Sequence, residues 1–201
     1  MDIILFNGPP RCGKDTAAKF LRDNWDSLDL SDTPILRRMS HPHKEMFAKM
    51  VDAAIDDDGI VEWWEENKDQ ASALLNRRSY RQWQIDFSES FMKPLYGEDI
   101  FGKLFANYAA NQSPSTTFLV PDCGFEIEAD AISRFLPKAT MHLVRIHRPG
   151  TSFAGDSRSY INPPSISPSR IINIMNDSTL EEFHGQLTLW FQSAIGFRSR
   201  R

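Results

Sequence analysis

One stretch near the start limits what this chain can fold into. A short apolar run at residues 3–6 leads into Gly8-Pro-Pro-Arg-Cys-Gly-Lys-Asp-Thr16, after which Ala17, Phe20, Leu21 and Trp25 recur at helical spacing. Buried strand, glycine loop and helix, in that order, are the setting in which a Gly-x-x-x-x-Gly-Lys pattern holds phosphate. Glycines let consecutive backbone N–H groups turn toward one anion. The helix N-terminus adds partial positive charge, and Lys14 brings a full one to the outer phosphates. Gly8, Arg11, Gly13, Lys14, Asp15 and Thr16 are the expected phosphate-binding residues, with Lys14 and Asp15 also the expected catalytic ones. The common P-loop has Ser or Thr directly after the lysine; here Asp15 stands there and Thr16 follows. An aspartate can hold Mg2+ directly or through water. The competing reading is a plain glycine turn with Lys14 on the surface, and spacing, lysine and context all weigh against it.

A length of 201 residues predicts one domain, and 41% hydrophobic residues suffice for a core. The net charge of −4 excludes a global basic footprint for nucleic acid, though not a local patch. The two cysteines, Cys12 and Cys123, do not suggest a disulfide framework. Cys12 has the surroundings of a lowered thiol pKa, but a small residue fitting the loop is the favoured reading. The N-terminus enters a strand without a basic leader, and no apolar run nears the ~20 residues of a membrane span. A soluble, cytoplasmic protein without membrane contact is expected.

Further strands are predicted at 34–40, 116–122, 140–147 and 170–174, separated by helical patterns. Together with residues 3–6 they predict an α/β fold built on a five-stranded parallel sheet flanked by helices. In the second strand, Arg37 and Arg38 leave two readings open: one arginine reaches a phosphate, or both are solvated at a sheet edge. Helix stripes are read at Met46, Phe47, Met50, Val51, Ala54 and Ile55, then at Tyr80, Trp83, Phe87 and Phe91, ending near Pro94. The turn at 56–58 reads as a solvated acidic loop, and His41 with His43 lacks the third ligand of a metal site. Residues 41–112 are thus helical and predicted to fold over the site as a substrate-binding insertion, with Arg78 and Arg81 ahead of one helix. Asp122 ends the third strand, where open α/β sheets bind ligands, and with Asp15 forms the expected Mg2+ contact. Residues 148–169, rich in Pro, Gly and Ser, read as a lid carrying Arg148 and Arg158. Ser178 and Glu181 stand at capping-box spacing before the last helix, and the tail at 198–201 is basic. Lys14, Asp15, Asp122 and the arginines form a phosphoryl-transfer set, and no Ser-His-Asp array or dinucleotide fingerprint competes.

The chain resembles the nucleoside monophosphate kinase family, specifically the phage-type deoxynucleoside monophosphate kinases. The loop through Gly-Lys-Asp-Thr16 carries the resemblance most specifically. Pro42-His-Lys44, Tyr80-Arg-Gln82, Gly97-Glu-Asp-Ile-Phe101, Asp122 with Phe125 and Glu128, Arg148-Pro-Gly150 and Asn176-Asp-Ser-Thr-Leu180 follow in order, over most of the chain. The resemblance implies a P-loop kinase using ATP and Mg2+, in the host cytoplasm if phage-encoded. It puts adenine near Asn176 and Asp177, and Arg148 and Arg158 over the transferring phosphate. The monophosphate acceptor would meet Arg37, Lys44, Arg78, Arg81, Gln82 and Asp122, with Gln82, Gln84, Ser88 and Glu89 as candidates for choosing the base. A homodimer is compatible with the aromatic surface of helix 80–93. The chain departs from the family at Gly124, where an arginine is usual two residues after the strand-end aspartate. Two other readings follow. In one, the acceptor is a modified base, 5-hydroxymethyluracil, within DNA, with Trp63 and Trp64 as exposed stacking residues. In the other, the protein binds ATP as a non-catalytic switch.

Overall fold

The first strand, β1 (Asp2–Asn7), sends its side chains alternately into two separate cores. Ile4 and Phe6 pack on one face against Ala17, Ala18 and Leu21 of the first helix, Trp25 just beyond it, and Phe183, Leu187 and Phe191 of the last. Ile3 and Leu5 pack on the other against Phe101, Phe105, Ala129 and Ile132. A strand buried on both faces is what an all-parallel sheet between helices requires. The computed structural model describes residues 1–25, 34–50 and 59–196. The loop at 26–33, the helix stripe beyond Met50 (Val51, Ala54 and Ile55), the acidic turn at 56–58 and the basic tail at 198–201 lie outside the described residues.

Five parallel strands form one sheet in the order β2-β3-β1-β4-β5, with β2 at Ile35–Leu36, β3 at Thr117–Val120, β4 at Thr140–His147 and β5 at Ile171–Met175. Helices α1 (Lys14–Asp23) and α8 (Leu180–Phe191) cover one face, and α6 (Ile100–Ala110) and α7 (Glu126–Phe135) the other. The architecture is an α/β fold compatible with the P-loop class. Between β2 and α6 the described chain is helical: α2 (His41–Met50), α3 (Ile60–Asn67), α4 (Tyr80–Phe87) and α5 (Lys93–Tyr96). No helix among the described residues is long and apolar enough to cross a membrane.

Three local expectations are corrected. The second strand keeps only two residues, because the backbone at Met39 and Ser40 turns away to bond the Asp122 carboxylate. The helix read to end near Pro94 runs on to Tyr96. A π-helical turn at Ser88–Met92 precedes the proline, so the i→i−4 pattern that proline disrupts is already broken there. The last helix is capped by Thr179, whose hydroxyl accepts from Glu182 N–H at 3.2 Å, one residue beyond the Ser178/Glu181 pair.

Residues 148–169 are also better anchored than a lid. Asn7, 1% exposed at the end of β1, donates from Nδ2 to the carbonyls of Cys123 and Ser159, each at 3.1 Å, and accepts from Ile161 N–H at 3.2 Å. Arg145 donates to Ile161 O, Glu126 accepts from Asn162 N–H, and Tyr160 donates to Ile146 O. Ile161 and Ile166 are buried in the second core. The second half of the segment is therefore a strap fastened across the sheet. Replacing Asn7 with Ala strands these buried partners, each costing about 1–3 kcal/mol when unsatisfied. The expected loss of stability is about 3 kcal/mol, read as a lower urea midpoint; an unchanged midpoint contradicts the anchoring role.

Candidate functional site

The loop between β1 and α1 is shaped by its backbone. Gly8, Arg11 and Gly13 have φ of 153°, 65° and 111°, and Gly13 is the N-cap of α1. At Gly13 a Cβ would lie 2.7 Å from the Asn176 side-chain nitrogen, so both conformation and space call for glycine. Asn176 donates from Nδ2 to Cys12 O at 2.8 Å, and Arg148 donates to Arg11 O at 3.3 Å. The loops after β4 and β5 thus hold the glycine loop from outside. Asn176, expected near adenine, is committed to the loop backbone, and Asp177 beside it is exposed. Cys12 is fully buried and burial pushes its thiol pKa up, which favours packing over reactivity.

Lys14 donates to the carbonyls of Gly8 and Pro9, both at 2.7 Å. Burial lowers its ammonium pKa, with Cys12 opposing. Thr16 is exposed on the first turn of α1. Asp15 makes an ion pair with Arg38 through Oδ1. This separates the arginine pair. Arg38 is the one that turns inward, 6% exposed, while Arg37 lies over the Tyr108 ring at 4.2 Å. Arg37, the expected acceptor contact, thus faces away from Asp15, and Arg38 takes the inward position because successive side chains leaving β2 take opposite sides.

Asp122 accepts three hydrogen bonds, from Met39 N–H (2.8 Å), Ser40 N–H (3.1 Å) and Ser40 Oγ–H (2.7 Å). Burial pushes its carboxyl up, but Arg38, the Ser40 hydroxyl, Lys44 and the Met39 amide outweigh it and hold the group below the usual range. With both oxygens engaged, Asp122 organises the β2–α2 turn and is poorly suited to ligate a metal directly. Asp15, half-exposed and paired through one oxygen, retains the chemistry for one Mg2+ contact. Among the described residues no three His, Cys, Asp or Glu side chains gather as a metal cage. Mg2+ bound mainly by phosphates and water needs no such cage.

Lys44 is 5% exposed, with its Nζ 5.3 Å from the Trp64 ring centroid. Burial and then Arg38 depress its pKa to about 7, against the pull of Asp122 and Asp15. Trp64 is itself buried, and Trp63 leans on Trp64 and Tyr80, so neither is the exposed stacking platform expected. Arg78 pairs with Asp86, which also accepts from Gln82, and Arg81 pairs with Asp69. These three side chains are exposed and engaged with acids of their own region, and an acceptor would have to displace those partners. Lys68, absent from the expected set, is close enough to feel Arg81, Asp69, Asp15 and Arg38.

Arg158 reaches the same end of the sheet from the strap. Its guanidinium meets Asp156 twice, Nε to Oδ1 at 2.8 Å and Nη2 to Oδ2 at 2.5 Å. Its stem crosses Gly124, where a Cβ would come within 2.5 Å of Arg158 Cδ and 2.8 Å of Cγ. At the position where the family resemblance implies an arginine, this chain has a glycine with an arginine from the strap lying over it. Arg158 acts electrostatically on Lys14, and Asp122 and Glu128 act on Arg158. Neither this packing nor the Asn7 anchor had a local signal in the sequence. Compared with known proteins, the chain matches no family model and no curated protein.

Glu128 is 5% exposed, and burial followed by Asp122 raises its pKa to about 8. Between its ordinary pKa of 4.5 and about 8, the folded state holds a proton that the unfolded state has released. Folding stability therefore falls as pH rises through that window. Glu128→Gln is expected to lack this fall, so urea melts at pH 5 and pH 8 should differ less in the variant than in the parent. Equal pH dependence in both contradicts the assignment.

Proposed function

We propose that this protein is an ATP- and Mg2+-dependent kinase that transfers the γ-phosphoryl group to a deoxynucleoside monophosphate. The observation that carries the reading is the glycine loop: positive φ at Gly8, Arg11 and Gly13, directly followed by the N-terminus of α1 and Lys14. Such a turn directs backbone N–H groups at a polyphosphate. Within electrostatic reach, Arg38 and Arg158 supply charge for a transferring phosphoryl group, whose chemistry demands positioning and charge cancellation above all. Lys44, its ammonium disfavoured by burial and by Arg38, gains most from an incoming phosphate. Asp15 would hold Mg2+, which when bound neutralises phosphate charge. The packing of Trp63 and Trp64 removes one motive for a DNA acceptor, which is retained as an arm of the test.

The test is ADP release with ATP and Mg2+ against each common deoxynucleoside monophosphate, 5-hydroxymethyl-dUMP, and DNA containing 5-hydroxymethyluracil. Turnover with free monophosphates is expected. Turnover on DNA alone replaces the acceptor, and nucleotide binding without ADP supports a switch. Lys14→Ala should lower turnover about 100-fold or more; full activity without Lys14 sinks the loop assignment. Gly124→Ala puts a methyl group into the Arg158 stem, and displacing that guanidinium should cost up to about 100-fold in kcat. In an Arg158→Ala background the same substitution should cost little. A cost that persists there points to another role for Gly124.

A further inference from the structure

His43 stands beside Lys44 on α2, 5% exposed. Both ring nitrogens are buried, and among the described residues neither has a hydrogen-bond partner. Burial and then Lys44 keep the imidazole neutral, with a pKa of about 3. It therefore offers one N–H donor and one nitrogen acceptor. Folded proteins leave few such groups without a partner, and each calls for an explanation: an ordered water, a strained contact or a ligand met in use.

The surroundings limit what that partner is. Phe101 meets the His43 ring edge-on at 5.1 Å, and Phe87 lies 6.4 Å away. Phe87 is stacked between Trp83 and Phe91, at 5.0 and 5.3 Å. An aromatic face accepts an imidazole N–H only weakly and offers nothing to the acceptor nitrogen. Such faces suit a flat ring with apolar faces and a polar edge. Asp122 acts on His43 electrostatically, and Lys44 follows it in sequence, so His43 adjoins the proposed phosphate site. The polar residues of α4 and the π-helical turn are less suited: Gln82 is held by Asp86, and Glu89 by Lys93.

We infer that His43 reads the hydrogen-bonding edge of the acceptor's base, with Phe87 and Phe101 lining the slot. This rests on the kinase reading above. The test compares the parent with His43→Phe and His43→Gln, measuring kcat/KM for the four common deoxynucleoside monophosphates, KM for ATP, and the urea midpoint. The phenylalanine variant should lose at least about tenfold in discrimination between bases, through a higher acceptor KM, with KM for ATP unchanged. Its midpoint should hold or rise, since two unpartnered buried nitrogens are gone. Glutamine, which keeps a donor and an acceptor, should restore part of the discrimination. A folded phenylalanine variant with parental discrimination overturns the inference and leaves the kinase reading intact. A parent that phosphorylates no nucleotide overturns both. Should the variants not fold, the 15N ring shifts of His43 in the parent decide: movement on titration with the preferred monophosphate supports the inference, and none overturns it.

Discussion

The buried carboxamide of Asn7 is the fastening on which the working end of the sheet depends. It sits where the central strand stops and three backbone segments meet, bonding the loop after β3 on one side and the strap on the other. A neutral amide suits this place because it donates and accepts at once without the desolvation cost of a charge. Its consequence reaches Arg158. The guanidinium is presented by the strap, the strap is held at Ser159 and Ile161, and Gly124 leaves room for the stem to cross.

A second junction, built on a carboxylate, does for β2 and α2 what Asn7 does for the strap. Asp122 gathers Met39 and Ser40 and so sets where Arg38, His43 and Lys44 begin. Buried cations and a buried acid are costly apart. Here Arg38 stands between Asp15 and Asp122, and Lys44 is the cation whose charge is least well compensated. An anion entering this region would complete the balance.

The five strands, the glycine loop and the flanking helices were legible because each carries a local signal: a short apolar run, an amphipathic period, a glycine beside a lysine. The cap at Thr179 was missed by one residue because Ser178-x-x-Glu181 and Thr179-x-x-Glu182 are equally good patterns. What turned Arg38 inward and Arg37 onto Tyr108 was where β2 stops, and that is decided by Asp122, more than 80 residues away. Arg78 and Arg81 are acceptor ligands in what the family resemblance implies, yet each found an acid in its own helical region. Trp64 looked available for stacking until α2, α3 and α4 came together around Phe47, Trp83 and Tyr80.

The bonds from Lys14 to Gly8 and Pro9 bear on selectivity of another kind. Two carbonyl oxygens at 2.7 Å already take two of the three N–H donors of this ammonium, so an anion that engages it through more than one oxygen has to displace neutral dipoles built into the same loop. A singly charged or diffuse anion gains little by that exchange. A group with several adjacent charged oxygens gains much. On the proposed kinase reading the loop would favour groups of high charge density, and it would do so with backbone atoms that no side-chain substitution can remove.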